Sequence, residues 1–170
     1  MKKKIKNYFE DKTVIITGAN QGLGLETAKY FASKGSKLIL CGRTKKLNQL
    51  AIDQLKKIKK KDIFFYKLDI SKKKQVDLFF NNIFKKFSKI DILINNAGIY
   101  GPKGHSHTLN WNNFSKTIEI NLLGSIYIIN KLLPHFKKNN YGKIIQISGG
   151  GAASSFPFFS PYAVSKAGIV

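Results

Sequence analysis

The chain has 170 residues, 43% of them hydrophobic, and carries 30 basic residues against 9 acidic ones for a formal charge of +21. That apolar content can build the core of one domain, taken here as residues 1–170, and it excludes disorder as the main state. Cys41 is the sole cysteine, which excludes a disulfide scaffold and suits a reducing compartment, and no apolar run approaches the roughly 20 residues that span a bilayer.

Met1-Lys2-Lys3-Lys4-Ile5-Lys6 is charged like the front of a signal peptide, but Asn7-Tyr8-Phe9-Glu10-Asp11-Lys12 follows where an apolar segment would be needed, so a cytoplasmic protein without membrane insertion is expected. Thr13–Thr17 is a β-branched run that predicts a buried strand, and Gly22 to Gly35 predicts a helix with Leu23, Ala28, Phe31 and Ala32 on its apolar face. Lys37–Cys41 predicts a second strand. Leu47 to Ile58 predicts a helix, with Leu47, Leu50, Ala51, Leu55 and Ile58 at helical spacing. Ile63–Leu68 reads as a third strand, Gln75 to Phe87 as a third helix and Ile90–Ile94 as a fourth strand. A polar loop from Gly98 to about Leu109 leads into a long helix, Phe114 to Lys137. Lys143–Ile147 predicts a fifth strand, Ser148–Ser160 a Gly/Ser/Pro-rich loop, and Pro161 opens a last helix reaching Val170.

Strands and helices thus alternate, and the strands are near-continuous apolar runs, as when both faces of a sheet are covered. This predicts an α/β chain with a doubly wound, Rossmann-like parallel sheet and right-handed crossovers, cut off after the fifth strand and the start of the next helix. The charge is spread over predicted helix faces in groups such as Lys59-Lys60-Lys61 and Lys72-Lys73-Lys74, and Arg43 is the only arginine. Base readout and bidentate phosphate clamps favour arginine, so the surface is read as a solvated basic one that steers anions, with no specific nucleic-acid site.

Thr17-Gly18-Ala19-Asn20-Gln21-Gly22-Leu23-Gly24 joins the first strand to the first helix. Glycines serve such a junction in three ways: a sharp turn, close approach of backbone to a pyrophosphate, and packing of helix on strand. The helix amino end then presents free N–H groups and the positive end of its dipole to the phosphates. The spacing, G-x-x-x-G-x-G after a strand and opening a helix, points to dinucleotide binding.

Together with Asn95-Asn96-Ala97-Gly98 after the fourth strand and Tyr162-Ala163-Val164-Ser165-Lys166 at the end, this loop resembles the short-chain dehydrogenase/reductase family, in its compact simple-reductase branch. The three motifs stand in the family's order and cover essentially the whole chain. The resemblance implies a nicotinamide dinucleotide held by Thr17, Gly18, Asn20, Gln21, Gly22, Leu23, Gly24, Asn95, Asn96, Ala97 and Gly98. It also places Asp69 and Ile70 near the adenine, and Asp69 has an alternative reading as a local cap before Ser71. The second strand ends Leu40-Cys41-Gly42-Arg43 with no carboxylate to accept from a ribose 2′-hydroxyl, whereas Arg43 can meet a 2′-phosphate; NADP(H) is therefore expected over NAD(H).

Reducing a carbonyl requires a proton donor, and a phenol, which ordinarily titrates at about 10, needs help at neutral pH. Tyr162 and Lys166 lie four apart on one helix face. The resemblance makes Tyr162 the acid/base, with Lys166 lowering its pKa and holding the nicotinamide ribose, and it makes Asn121 the asparagine that kinks the long helix and holds a relay water. The family's substrate-orienting serine stands thirteen residues before the tyrosine, where this chain has Gly149; either Ser148 takes the role or the role is vacant. His105 and His107 have no acid or thiol nearby in sequence and are read as loop residues near the substrate entrance, and His135 as structural. The expected function is hydride transfer between NADP(H) and a small carbonyl compound or secondary alcohol, in a homo-oligomer when full length. The alternative is a dinucleotide-binding protein without turnover, or an inactive fragment.

Overall fold

The computed structural model describes residues 7–170, so the reading of Met1–Lys6 lies outside the described residues. Five parallel strands form one sheet: β1 (Thr13–Thr17), β2 (Lys37–Gly42), β3 (Ile63–Lys67), β4 (Ile92–Asn95) and β5 (Lys143–Gln146), in the order β3-β2-β1-β4-β5. The order reverses between β1 and β4. Chain segments leave those two strands in opposite directions, which opens a crevice at their carboxyl ends.

Alternation along β1 shows why the sheet is covered on both sides. Val14 and Ile16 face one core, with Leu38, Leu40, Ile92 and Ile94, under α1 (Gly22–Ser33) and α2 (Lys45–Lys56). Ile15 faces the other, with Ile39 and Leu93, under α3 (Lys73–Lys86) and α5 (Ser125–Lys138). The predicted fold class is the one found.

Several elements differ from the sequence reading in extent. The long helix begins earlier, as α4 (Trp111–Ile118), because the Asn110 side chain accepts from the Asn113 N–H at 3.1 Å and caps it. It is also not continuous. Residues Glu119–Gly124 form a π-helical stretch around Asn121 before α5 resumes, which is the distortion the resemblance implied there. The last helix, α6 (Ser160–Ala167), closes at Ala167 rather than reaching Val170. Ile90 and Asp91 precede β4, and the Asp91 carboxylate accepts the Thr13 N–H at 2.9 Å, tying the start of β1 in place.

Burial corrects two apolar assignments. Leu50 and Ile58 of the predicted α2 face are exposed, and the buried stripe is Asn48, Ala51 and Leu55. The strands are also not all covered. β1 and β4 are fully buried and β2 nearly so, but Ile144 and Ile145 on the edge strand β5 are exposed, because the described residues place no further strand beside it.

Candidate active site

The crevice at the carboxyl ends is a cleft of about 530 Å³, lined by the β1–α1 loop, the end of β2, Asp69 and Ile70, the segment after β4, and Ser148, Tyr162 and Lys166. It gathers most of the predicted site residues into one place.

Each glycine of the first loop has a distinct job. Gly18 takes φ +65°, and an added Cβ would lie 2.9 Å from the Ala97 Cα. Gly24 packs helix on strand, since a Cβ would run into the Gly18 carbonyl and the Asn96 amide. Gly22 takes φ +54° with open space beside it, so backbone conformation selects glycine there and the cleft stays clear. The amino end of α1 has no side-chain cap, so its N–H groups are left for an anion. Leu23, expected in the core, instead stands 60% exposed at the cleft.

Behind the loop the strand ends are stitched together. The Thr17 hydroxyl accepts the N–H groups of Asn96 and Ala97, both at 2.9 Å, and donates to Asn95 Oδ1 at 3.3 Å. Asn95, fully buried, donates to the Ser125 carbonyl and to Gln146 Oε1, while Asn96 donates to the carbonyls of Thr17 and Gly18. Thr17 and Asn95 are thus framework behind the cleft wall, whereas Asn96, Ala97 and Gly98 line it. Satisfying these buried amides within the protein fixes the wall's shape.

At the adenosine end, Asn20 donates to Asn48 Oδ1 and Asn48 donates to the Gly42 carbonyl, both at 2.9 Å. Side chains crowd Gly42 so closely that a Cβ would not fit. Asn48 was missed in the sequence, although a lone amide on the apolar stripe of a helix was a readable signal. Arg43 is exposed at the cleft edge and makes no hydrogen bond or ion pair with other described residues. Asp69 Oδ1 accepts from the N–H and hydroxyl of Ser71, which closes a local turn ahead of α3 rather than capping that helix, and Asp69 also lines the cleft. Burial pushes the Cys41 thiol up to about 12, so it stays protonated against the cleft floor.

At the other end, Lys166 is 4% exposed and its Nζ donates to the Ile147 carbonyl at 2.8 Å, 5.6 Å from the centre of the Tyr162 ring. The expected lowering of Tyr162 is not found. Burial, with Tyr100 adding to it, pushes the Tyr162 hydroxyl above the ordinary tyrosine range, and burial pushes Lys166 down. The ammonium is drawn to a backbone carbonyl instead of the phenol oxygen, so burial prevails.

Asn121 is 1% exposed and lies outside the cleft lining. Its side chain accepts the Ile99 N–H and donates to the Ile99 carbonyl, both at 2.8 Å, and donates to Ser165 Oγ at 3.0 Å. Ser165 in turn donates to the Tyr162 carbonyl at 2.7 Å. Asn121 therefore ties the loop after β4 to the first turn of α6, and Ser165, inside the Tyr-to-Lys motif but given no role from sequence, completes that link. Ser148 lines the cleft with a buried hydroxyl that has no partner among the described residues. A Cβ at Gly149 would collide with the Tyr162 hydroxyl. His105 and His107 stack on each other in the entrance loop, and His135 accepts the Ile90 N–H at 3.0 Å, a structural contact.

A profile of the short chain dehydrogenase family matches residues 12–170. The chain belongs to this family. An uncharacterized oxidoreductase of Staphylococcus saprophyticus is 31% identical over 164 residues, covering 94% of this chain and 63% of its own length. The chain spans 53–63% of the lengths of the first curated short-chain dehydrogenase relatives. Crystal structures of NAD+-bound xylitol dehydrogenase (TM-score 0.91, 24% identity, 95% of this chain and 62% of that one) and of an actinorhodin polyketide ketoreductase with NADPH (TM-score 0.88, 22% identity, 94% and 61%) share the fold. Short-chain dehydrogenases are oxidoreductases that use NAD(H) or NADP(H) on small molecules. Among the described residues, no helix is long and apolar enough to cross a membrane.

Proposed function

We propose that this short-chain dehydrogenase is an NADP(H)-dependent reductase of small carbonyl compounds, with the reverse oxidation of secondary alcohols. The observation that carries the reading is the convergence of Tyr162 and buried Lys166 on the same cleft as the glycine cradle. The cradle suits a dinucleotide: backbone replaces side chains at Gly18 and Gly24, and the α1 amino end is uncapped. Bound NADPH would supply the hydride.

The chain's own residues handle the rest. The Tyr162 phenol, kept protonated by burial, gives its proton to the alkoxide oxygen formed from the substrate carbonyl. The raised value suits an acid acting in the direction of reduction. Lys166, anchored on the Ile147 carbonyl, presents a cation beneath the ring, and the unpartnered Ser148 hydroxyl is available to orient the substrate oxygen. Asn121, through Ser165, positions the turn that carries Tyr162.

The choice of NADP(H) rests on Arg43, exposed at the cleft edge with no carboxylate at the β2 end, and on Lys45 and Lys46 in the first turn of α2. Arg43→Asp should reverse the preference between NADPH and NADH; unchanged selectivity would refute the assignment. The lone thiol supports a cytoplasmic setting.

The test of the whole reading is NADPH fluorescence titration followed by absorbance assays across a panel of ketones, aldehydes and alcohols. Saturable binding with turnover is expected. Binding with no turnover of any member would favour a dinucleotide-binding protein without catalysis, a reading that Gly149 at the usual serine position supports.

A further inference from the structure

Four aromatic rings close on one another at the catalytic end. Tyr100 stands 4.9 Å from Tyr162, Tyr162 5.9 Å from Phe156, Phe156 4.8 Å from Phe159, and Phe159 5.8 Å from Tyr100, centre to centre. Tyr100 comes from the loop after β4, Phe156 and Phe159 from the loop between β5 and α6, and Tyr162 from the first turn of α6.

The run Gly149-Gly150-Gly151 accounts for how the rings fit. A Cβ at Gly149 would strike the Tyr162 hydroxyl; one at Gly150 would lie 3.2 Å from the Phe156 ring; one at Gly151, φ +85°, would lie 2.7 Å from the Ala163 Cβ. The glycines thus leave their volume to the aromatics. Phe158 sits at φ +66°, a conformation costly for a side chain of its kind. It is held there by the Gly104 N–H donating to its carbonyl at 2.9 Å and by edge-on packing against His105. These two contacts, which hold Phe158 in its costly conformation, join the two loops beside Phe159.

The chemistry around these rings is one-sided. No Asp or Glu occurs in residues 92–118 or after Glu119, so neither loop carries a carboxylate. The charges near the rings are cationic: Lys103 lies 5.6 Å over the Phe159 ring and Lys166 5.6 Å from the Tyr162 ring. The Ser148 and Tyr162 hydroxyls are the polar groups beside the reaction position. A polyhydroxylated substrate would find no carboxylate and only a few hydroxyls here in exchange for the water it loses, whereas a flat apolar one would gain stacking and burial.

We propose that the Tyr100–Phe156–Phe159 cluster is a substrate subsite that selects carbonyl compounds bearing an aryl or other flat apolar group, with Tyr100 as the specificity-determining residue. This rests on the reductase reading above. Tyr100 is 62% exposed and ends one face of the cluster, so its ring is open to an incoming substrate and its removal should leave the fold intact.

The test uses purified protein with NADPH and compares kcat/KM for acetophenone with that for dihydroxyacetone. Wild type should prefer the aryl ketone by tenfold or more. In Tyr100→Ala that preference should fall by about tenfold, mainly through KM for acetophenone, and in Tyr100→Phe it should persist. An equal or greater kcat/KM for dihydroxyacetone, or an unchanged preference in Tyr100→Ala, overturns the subsite while leaving the reductase reading standing. Protein that binds NADPH but turns over neither ketone, nor any of the wider panel, overturns both.

Discussion

The two ends of the cleft are built differently. At the phosphate end the polar groups of the wall, the buried Ser125 hydroxyl behind it excepted, are bonded within the protein: Thr17 to Asn95, Asn96 and Ala97, Asn95 to the Ser125 carbonyl and Gln146, Asn20 to Asn48, and Asn48 to Gly42. At the catalytic end Ser148 Oγ is buried without a partner, and the Tyr162 hydroxyl makes no hydrogen bond to another described residue. The first end is a finished mould, shaped by backbone before any ligand arrives. The second holds hydrogen-bonding capacity in reserve, and burying such groups unpaired carries a cost that a ligand or water must offset.

The largest expected effect comes from removing the reserve. Tyr162→Phe should lower kcat by about 10³-fold, within the range for a lost proton donor, while NADPH affinity stays within about twofold. Retained turnover would move proton donation elsewhere and dissolve the contrast between the ends. The pH profile sharpens the same point. Because the Tyr162 pKa is raised, the protonated donor persists to higher pH, so carbonyl reduction should stay level through neutrality and decline only above the ordinary tyrosine value of 10.0. A decline centred near neutral pH would contradict that direction.

Next comes the mould. Gly24→Ala forces a methyl into the Gly18 carbonyl and the Asn96 amide. It should cost about 1–3 kcal/mol of stability and weaken NADPH binding more than tenfold. Thermal unfolding and titration that match wild type would show that the loop yields after all. An effect confined to stability is expected from Thr17→Val, which keeps the shape but leaves the Asn96 and Ala97 N–H groups without an acceptor. A loss of about 2 kcal/mol should appear as a lower denaturation midpoint.

Much of this was legible beforehand because it depends on local rules. The strand positions follow from β-branched apolar runs, and the glycine cradle follows from positions where a side chain cannot stand. Gly18 and Gly24 are selected by packing and Gly22 by its φ, all within eight residues of sequence. The early start of α4 was missed because Asn110 looks like any loop asparagine until its carbonyl oxygen meets the Asn113 N–H. Leu50 was placed inside because spacing gives a helix's face but not the width of sheet beneath it, and Ile58 because the helical spacing was carried past the end of α2 at Lys56. The direction of the Tyr162 shift was misjudged for a related reason. Four-residue spacing puts Lys166 on the same face but leaves open whether its Nζ reaches the phenol or, as here, the Ile147 carbonyl.

By itself, the sequence established the alternating α/β order, the glycine turn and the pairing of a phenol with an ammonium one helical turn away, since each is written in neighbouring residues. Tertiary structure alone decided that Thr17 and Asn95 serve the wall rather than the cleft, that Asn48 meets Asn20 and Ser165 meets Asn121 to brace it, and that Tyr100 meets Phe159 and Tyr162. These contacts join residues from 28 to 78 positions apart, or from loops on different strands, and only the closing of the sheet brings such partners within hydrogen-bond or ring-contact distance.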